Sequence, residues 1–97
     1  MTRDEAMVRL KQSEAALKQA GVTHLYLFGS TARDEAGSDS DVDLFFDYDR
    51  EDFGLFDLMD VKELAVGILG TKTDMIPRDG LHHVLRRRIE ESALRVF

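Results

Sequence analysis

Short apolar segments alternating with longer helical patterns are the feature that most constrains the fold of this chain. Residues 22–28 and 42–46 are apolar runs of strand length, and residues 73–76 form a third that Pro77 limits. Helical patterns of apolar residues occupy 2–20, 53–69 and 80–96. This alternation predicts an α/β fold, a sandwich with a small three-stranded sheet flanked by helices.

Glycines and polar residues mark the ends of these elements. Gly21 and Gly70 follow the first two helical patterns, as helix C-caps commonly do. Gly29-Ser30 follows the first strand, and Ser30 is a candidate cap for a short helix through Ala36 that ends at Gly37-Ser38. Residues 47–52 are mostly acidic and are predicted to form a loop.

Length and composition limit the classes of protein to consider. The 97 residues are 43% apolar and 33% charged, which predicts a single folded domain over residues 1–97. The net charge of −6 disfavours general nucleic-acid binding, because an acidic surface repels phosphates. The chain lacks cysteine, so it has no disulfides or thiolate metal sites. With a polar N-terminus and no membrane-length apolar run, we expect a soluble cytoplasmic protein.

Gly29 and Ser30 lie where a strand passes into a helix. Backbone N–H groups at a helix N-terminus bind phosphate oxygens, and glycine lets the phosphate approach closely. The Ser30 hydroxyl adds a donor. A Gly-Ser pair is more often a simple turn and cap, so this signal is weak alone.

Asp41 and Asp43 flank Val42 at the start of the second strand, and Asp74 lies in the third. Because side chains alternate along a strand, Asp41 and Asp43 point to one side, where their repulsion is relieved if they share hard cations such as Mg²⁺. A solvated acidic edge is the alternative. A calcium loop beginning at Asp39 is excluded, since its sixth and twelfth positions hold Leu44 and Arg50. Asp74 is a candidate for the same site only if its strand lies beside the Asp41/Asp43 pair.

Two segments together resemble a known family signature. Residues 27–33, Leu-Phe-Gly-Ser-Thr-Ala-Arg, are followed by residues 38–44, Ser-Asp-Ser-Asp-Val-Asp-Leu, with ten residues between Ser30 and Asp41. This pattern resembles the DNA polymerase β-like nucleotidyltransferase superfamily, and most closely its minimal prokaryotic branch. The resemblance covers residues 22–76 and implies a mixed sheet. Asp34 departs from it, because the family often has glycine there.

The resemblance implies roles for six residues. Gly29 and Ser30 would hold the triphosphate, Asp41 and Asp43 would bind two Mg²⁺ ions, and Asp74 would complete the catalytic and metal site. Arg33 belongs to the motif and would either contact phosphate or brace the acidic cluster. ATP would be the substrate.

The minimal branch also resembles antitoxins that act with a helical toxin of the HEPN class, a family of RNases. The implied reaction is transfer of AMP from ATP to a hydroxyl of the toxin. Two alternatives stay open: a binding module that masks its partner physically while its nucleotide site is vestigial, and a transferase acting on a small molecule or an RNA end.

Several other residues carry weaker signals. Arg86, Arg87 and Arg88 are expected to form a solvated face partly paired with Glu90 and Glu91, with docking of an acidic partner as the alternative. His82 and His83 show no ligand pattern, and His24 is expected to be a strand-edge residue. Phe45, Phe46, Phe53 and Phe56 are expected in the core or at an interface, and exposure of Phe53 and Phe56 would mark a partner surface.

Overall fold

A computed structural model describes residues 1–35, 37, 41–49 and 51–97. The helices are α1 (Arg3–Gln12), α2 (Glu14–Gln19), α3 (Gly29–Ala32), α4 (Leu55–Leu69) and α5 (Arg86–Ser92). The strands are β1 (Val22–Phe28), β2 (Val42–Tyr48), β3 (Thr73–Pro77) and β4 (Leu94–Arg95), and a 3₁₀ turn covers Arg78–Gly80. The α/β class predicted from the alternation is confirmed.

The strands form a mixed sheet in the order β3-β2-β1-β4. β2 runs antiparallel to β1 and parallel to β3, so the starts of β2 and β3 meet at one end of the sheet. The expected mixed sheet is confirmed, but the predicted number of strands is wrong. A fourth strand, β4, pairs with Tyr26 and Leu27 of β1.

The fourth strand, β4, lies within residues 80–96, where the sequence pattern predicts one helix. Only Arg86–Ser92 are α-helical there. Val96 donates its N–H to the carbonyl of Leu25 and buries its side chain, which satisfies backbone groups of β1 that would otherwise lie at an open edge. Tertiary pairing therefore overrides the helical pattern.

One face of the sheet packs against α1, α2 and α4 to form the core. The strands contribute alternate residues, and the helices contribute residues at helical spacing. Fully buried members include Leu10, Leu17, Leu25, Leu27, Val42, Leu44, Phe46, Val61, Ala65 and Leu69. Leu55 and Met59, two apolar residues of the helical pattern over 53–69, are exposed, so α4 buries only one of its apolar sides.

The opposite face of the sheet is polar at both ends and aromatic in the middle. Asp43, Phe45 and Asp47 alternate with the core residues of β2 and so share this face. The Phe45 ring stacks on Tyr26 with centroids 4.7 Å apart, and the Arg78 guanidinium lies 5.1 Å from the Phe45 centroid. The aromatic rings of this face therefore lie between Asp43 and Asp47, the aspartates at the two ends of β2.

The boundaries of the first helices differ from those predicted. The first helical pattern breaks at Ser13, which divides α1 from α2. The helix after β1 spans Gly29–Ala32, and Asp34, with φ +59°, turns the chain away. Its predicted end at Ala36, like Ser38, lies outside the described residues. The left-handed backbone at Asp34 explains why glycine suits this position, and aspartate is one of the few other residues that tolerate it.

The ends of β2 and α4 also differ. β2 continues through Asp47 and Tyr48, which had been assigned to the loop. The helix predicted from residue 53 starts at Leu55, because the Gly54 N–H donates to the Asp57 carboxylate at 2.9 Å and fixes the first turn.

Candidate active site

The three aspartates singled out in the sequence come together at one end of the sheet. Asp43 and Asp74 are register partners on the parallel strands β2 and β3. Asp41 directly precedes β2 and is exposed, as is Asp74. A bond from the Val42 N–H to the Lys72 carbonyl, 3.0 Å long, fixes the alignment of the two strand starts. The placement of Asp74 beside the pair thus follows from parallel pairing.

Gly29 joins this end of the sheet from β1. Its backbone has φ +76°, and a Cβ at this position would lie 3.3 Å from the Asp43 Cβ and overlap the Asp43 carboxylate. Only glycine allows the turn after β1 to approach the carboxylate this closely. The Gly29 backbone and the Asp43 side chain are therefore neighbours in one site.

Ser30 lies in the four-residue helix α3 and is half-buried. The expectation that Ser30 caps this helix is wrong, because the helix already begins at Gly29 and Phe28 holds the cap position. The Ser30 carbonyl accepts a 2.8 Å bond from the Glu35 N–H, which closes the turn.

The electrostatics of the site centre on Asp43. Burial raises the pKa of its carboxyl group, the negative charges of Asp74 and then Asp41 raise that pKa further, and Arg33 partly offsets the shift. Arg33 is exposed and pairs with Glu35 at 3.1 Å. Its charge reaches the acidic cluster, which agrees with the bracing alternative for this residue.

A cleft of about 470 Å³ opens beside the aspartates, between α4 and the start of β3. It is lined by Asp41, Lys62, Val66, Lys72, Thr73 and Asp74. Sequence reasoning missed the two lysines. Lys72 had a usable signal, since it precedes Asp74 by two residues, as Asp41 precedes Asp43. Lys62 had none, because it is one exposed residue of a long helix.

The donor set at this end of the sheet suits a hard divalent cation. Carboxylate oxygens are the ligands that Mg²⁺ prefers, and their mutual repulsion favours a cation among them. Within residues 1–35, 37, 41–49 and 51–97, no three His, Asp or Glu side chains are already gathered at ligand distance. The residues fit the ion by chemistry, and Asp43 and Asp74 are register neighbours at this end of the sheet.

The remaining sequence signals have structural explanations. Arg86 pairs with Glu90 at 3.1 Å and Arg87 with Glu91 at 3.0 Å, which confirms the expected paired, solvated face. The His82 and His83 rings stack with centroids 5.0 Å apart on the surface. Across the described residues, no helix is long and apolar enough to cross a membrane.

Known proteins resemble this chain over most of its length. The model of the nucleotidyltransferase domain family matches residues 10–96. A protein of Methanocaldococcus jannaschii named as a protein adenylyltransferase is 31% identical, with 88% of each chain covered. Protein adenylyltransferase MntA of Thermococcus cleftensis is also 31% identical, over 78% of this chain and 84% of its own.

Solved structures share the fold. A structure described as a minimal nucleotidyltransferase superposes with a TM-score of 0.84 at 30% identity, covering 97% of this chain and 95% of the other. A Shewanella oneidensis complex of a tri-AMPylated HEPN toxin with an MNT antitoxin matches with a TM-score of 0.67 at 13% identity, covering 95% and 71%. With the match of the family model, the sheet and the acidic site lead to one assignment: the chain belongs to the nucleotidyltransferase domain family.

Proposed function

We propose that this nucleotidyltransferase transfers AMP from ATP to a hydroxyl on a partner protein, with Asp41, Asp43 and Asp74 as its catalytic carboxylates. The observation that carries the proposal is the register pairing of Asp43 with Asp74, beside Asp41 and against Gly29. Carboxylates are placed against one another at a cost in repulsion, and such placement is typical of functional sites.

Each residue has a distinct task in this reaction. Gly29 and Ser30 bind the triphosphate through the turn after β1, where the absence of a side chain lets phosphate approach. Arg33 braces the carboxylate cluster. Asp74 is exposed and accepts the proton of the acceptor hydroxyl. The hydroxyl oxygen bonds to the α-phosphorus, the bond from that phosphorus to the bridging oxygen breaks, and pyrophosphate leaves.

Asp41, Asp43 and Asp74 would hold Mg²⁺, two ions in the fully loaded site. When bound, the ions supply charge neutralisation to the triphosphate and to the leaving group. The raised pKa of Asp43 supports this assignment, because a cation among the carboxylates relieves the repulsion that contributes to the shift.

The partner we propose is a HEPN-class toxin, with this chain as its antitoxin. The support is the name of the MntA relative and the fold shared with the antitoxin of the Shewanella complex, whose toxin carries AMP. The net charge of −6 favours a basic partner over a nucleic acid.

The test is transfer of label from α-³²P-ATP with Mg²⁺ to the protein encoded by the adjacent gene, taken as the candidate toxin. We expect label on that protein with the wild-type chain and none with the double variant Asp41→Asn/Asp43→Asn. The matched control is Asp4→Asn/Glu5→Gln, which removes two exposed acidic charges from α1 and should label fully.

Other outcomes would redirect the proposal. Equal labelling by the Asp41→Asn/Asp43→Asn variant would reject the carboxylates as catalytic residues. A tight complex in which no nucleoside triphosphate gives label would favour the masking module. Transfer to an RNA end or a small molecule, with the protein unlabelled, would replace the protein acceptor.

A further inference from the structure

An exposed apolar line runs along α4 beside the cleft. Leu55, Met59, Lys62 and Val66 are spaced by four, three and four residues, which places them on one side of the helix. Leu55 is 69% exposed, Met59 50% and Val66 37%, and the aliphatic stem of Lys62 continues the line. We name these four residues the α4 seam. A different side of the helix, with Val61, Ala65 and Leu69, is buried in the core.

The spacing of the α4 seam fits a particular kind of occupant. Apolar residues that alternate at three and four positions are the pattern by which one helix packs along another. Phe56, 80% exposed, widens the N-terminal half of the surface. Exposed aromatic and methionine side chains of this kind are enriched at protein interfaces.

The α4 seam ends in the catalytic cleft. Lys62 and Val66 line that cleft together with Asp41 and Asp74. A segment lying along the seam would therefore be carried directly to two of the proposed catalytic carboxylates. The surface that would bind the acceptor and the cleft where transfer would occur are therefore continuous.

The charges around the seam indicate the chemistry of the occupant. One exposed acidic residue, Glu63, lies on α4 beside the seam, and three lie in the segment that leads into the helix: Asp49, Glu51 and Asp52. The basic residues of this surface are Lys62, within the seam, and Lys72, in the cleft. An apolar line with an acidic border is complementary to a helix that has an apolar stripe and basic flanks.

We propose that the α4 seam is the docking site for an amphipathic helix of the acceptor protein, with basic flanks, which delivers the acceptor hydroxyl into the cleft. This inference rests on the proposed function, since it assumes a protein acceptor. It adds where that acceptor binds and what its binding element is. The seam binds and positions the acceptor, and the carboxylates carry out the transfer.

The experiment compares two double variants in binding and in transfer to the protein encoded by the adjacent gene. Leu55→Glu/Met59→Glu places two charges on the seam, where both residues are exposed and the helix should persist. Val8→Glu/Val84→Glu places the same charges at exposed apolar positions outside the seam. We expect the seam variant to weaken the complex by about tenfold or more. Labelling at sub-saturating acceptor should fall in proportion, and the control variant should match wild type in both assays.

Two further measurements separate the ways in which the inference could fail. Stabilisation by Mg-ATP should be the same in the seam variant and in wild type, which shows that the nucleotide site is intact. A photo-crosslinking residue at Phe56 should capture the acceptor, and one at Val8 should not. If the seam variant binds and labels as wild type does, the docking site is rejected and the proposed function stands. If wild type binds the acceptor without labelling it, the proposed function fails, while loss of binding by the seam variant would still support the docking site. If wild type does not bind, both fail.

Discussion

The two ends of β2 carry the same residue type in opposite electrostatic settings. Asp43 and Asp47 lie four residues apart on one face of one strand. Asp47 accepts two hydrogen bonds from Arg78, at 2.7 and 3.0 Å, and Arg78 also pairs with Glu90 at 2.6 Å. Asp43 faces Asp74 and Asp41 instead, and its pKa is raised by burial and by their charges.

The different charge environments of Asp47 and Asp43 indicate that one end of β2 stabilises the fold and that the other is the candidate functional site. At the Asp47 end, a half-buried guanidinium balances two carboxylates and lies 4.8 Å from the Tyr26 ring centroid, so the charges hold β2, the turn after β3 and α5 together. At the Asp43 end, like charges are held together by strand register, which opposes folding unless a cation binds. The first arrangement is a structural clamp, and the second is the one we propose as a ligand site.

Ligand binding should act only at the Asp43 end. We expect Mg-ATP to stabilise the wild-type protein by about 2–3 kcal/mol at about a hundredfold excess over its Kd. Thermal unfolding with and without Mg-ATP measures this effect. The Asp43→Asn variant should lose most of the shift and Asp47→Asn should keep it. An unchanged melting temperature for wild type at millimolar Mg-ATP would argue against a nucleotide site here.

Removal of the clamp should cost stability without affecting chemistry. Arg78→Met leaves Asp47 and Glu90 without their shared cation, and we expect a loss of about 2 kcal/mol. For a domain of this size that loss lowers Tm by about 10 °C. The rate of AMP transfer, measured well below the new Tm, should stay close to that of wild type. A transfer defect at such a temperature would connect the two ends of β2, contrary to the separation argued above.

A side chain added at Gly29 should disturb the Asp43 end of β2, because the Gly29 backbone lies against the Asp43 carboxylate. Gly29→Ala forces a side chain onto a left-handed residue, which costs about 1–2 kcal/mol, and pushes it against the Asp43 carboxylate. We expect lower stability and weaker Mg-ATP binding, measured by chemical denaturation and by titration. The control is Gly67→Ala in α4, where an added Cβ meets no atom within 4 Å. Alanine there should stabilise the helix, so a loss of stability in both variants would contradict the steric explanation.

The smallest expected effect is the difference in stability between Asp43→Asn and Asp47→Asn without ligand, which compares the two ends of β2 directly. Without ligand at neutral pH, Asp43→Asn should raise the free energy of unfolding by about 0.2–1 kcal/mol, the range of cross-strand side-chain pairs. Asp47→Asn should lower it. Because the folded-state pKa of Asp43 lies above its ordinary value of 3.8, the Asp43 contribution is fully favourable below that value and is lost as pH rises through the folded pKa. The advantage of Asp43→Asn should therefore vanish in acid. Equal behaviour of the two variants in denaturation across pH would contradict the assignment of strain to Asp43.

Part of the candidate site was predictable from local sequence, but the residues and the strand that reach it or the sheet through long-range packing were not. Gly29 and Asp41 lie at strand ends and Asp43 lies within a strand, and the apolar runs of these strands are evident. The junction of strand and helix predicts the placement of Gly29, and the period of a strand predicts that of Asp41 and Asp43. The placement of Asp74 depends on the parallel pairing of β3 with β2, which periodicity does not predict, so the expectation for Asp74 rests largely on the family resemblance. Lys62 enters the cleft through the packing of α4, and β4 forms because an edge of β1 is available. Such long-range pairings leave no periodic signal in the segments that make them.

The catalytic role of Asp43 is tested most directly by intact-mass measurement of the acceptor protein over time, with ATP and Mg²⁺ and with wild type, Asp43→Asn or Asp47→Asn. We expect the Asp43→Asn variant to add AMP at least about 100-fold more slowly than wild type. The Asp47→Asn variant should stay within about threefold of wild type at a temperature where both variants are folded. Transfer by Asp43→Asn at the wild-type rate would contradict the proposal that the Asp43 end of β2 is the active site.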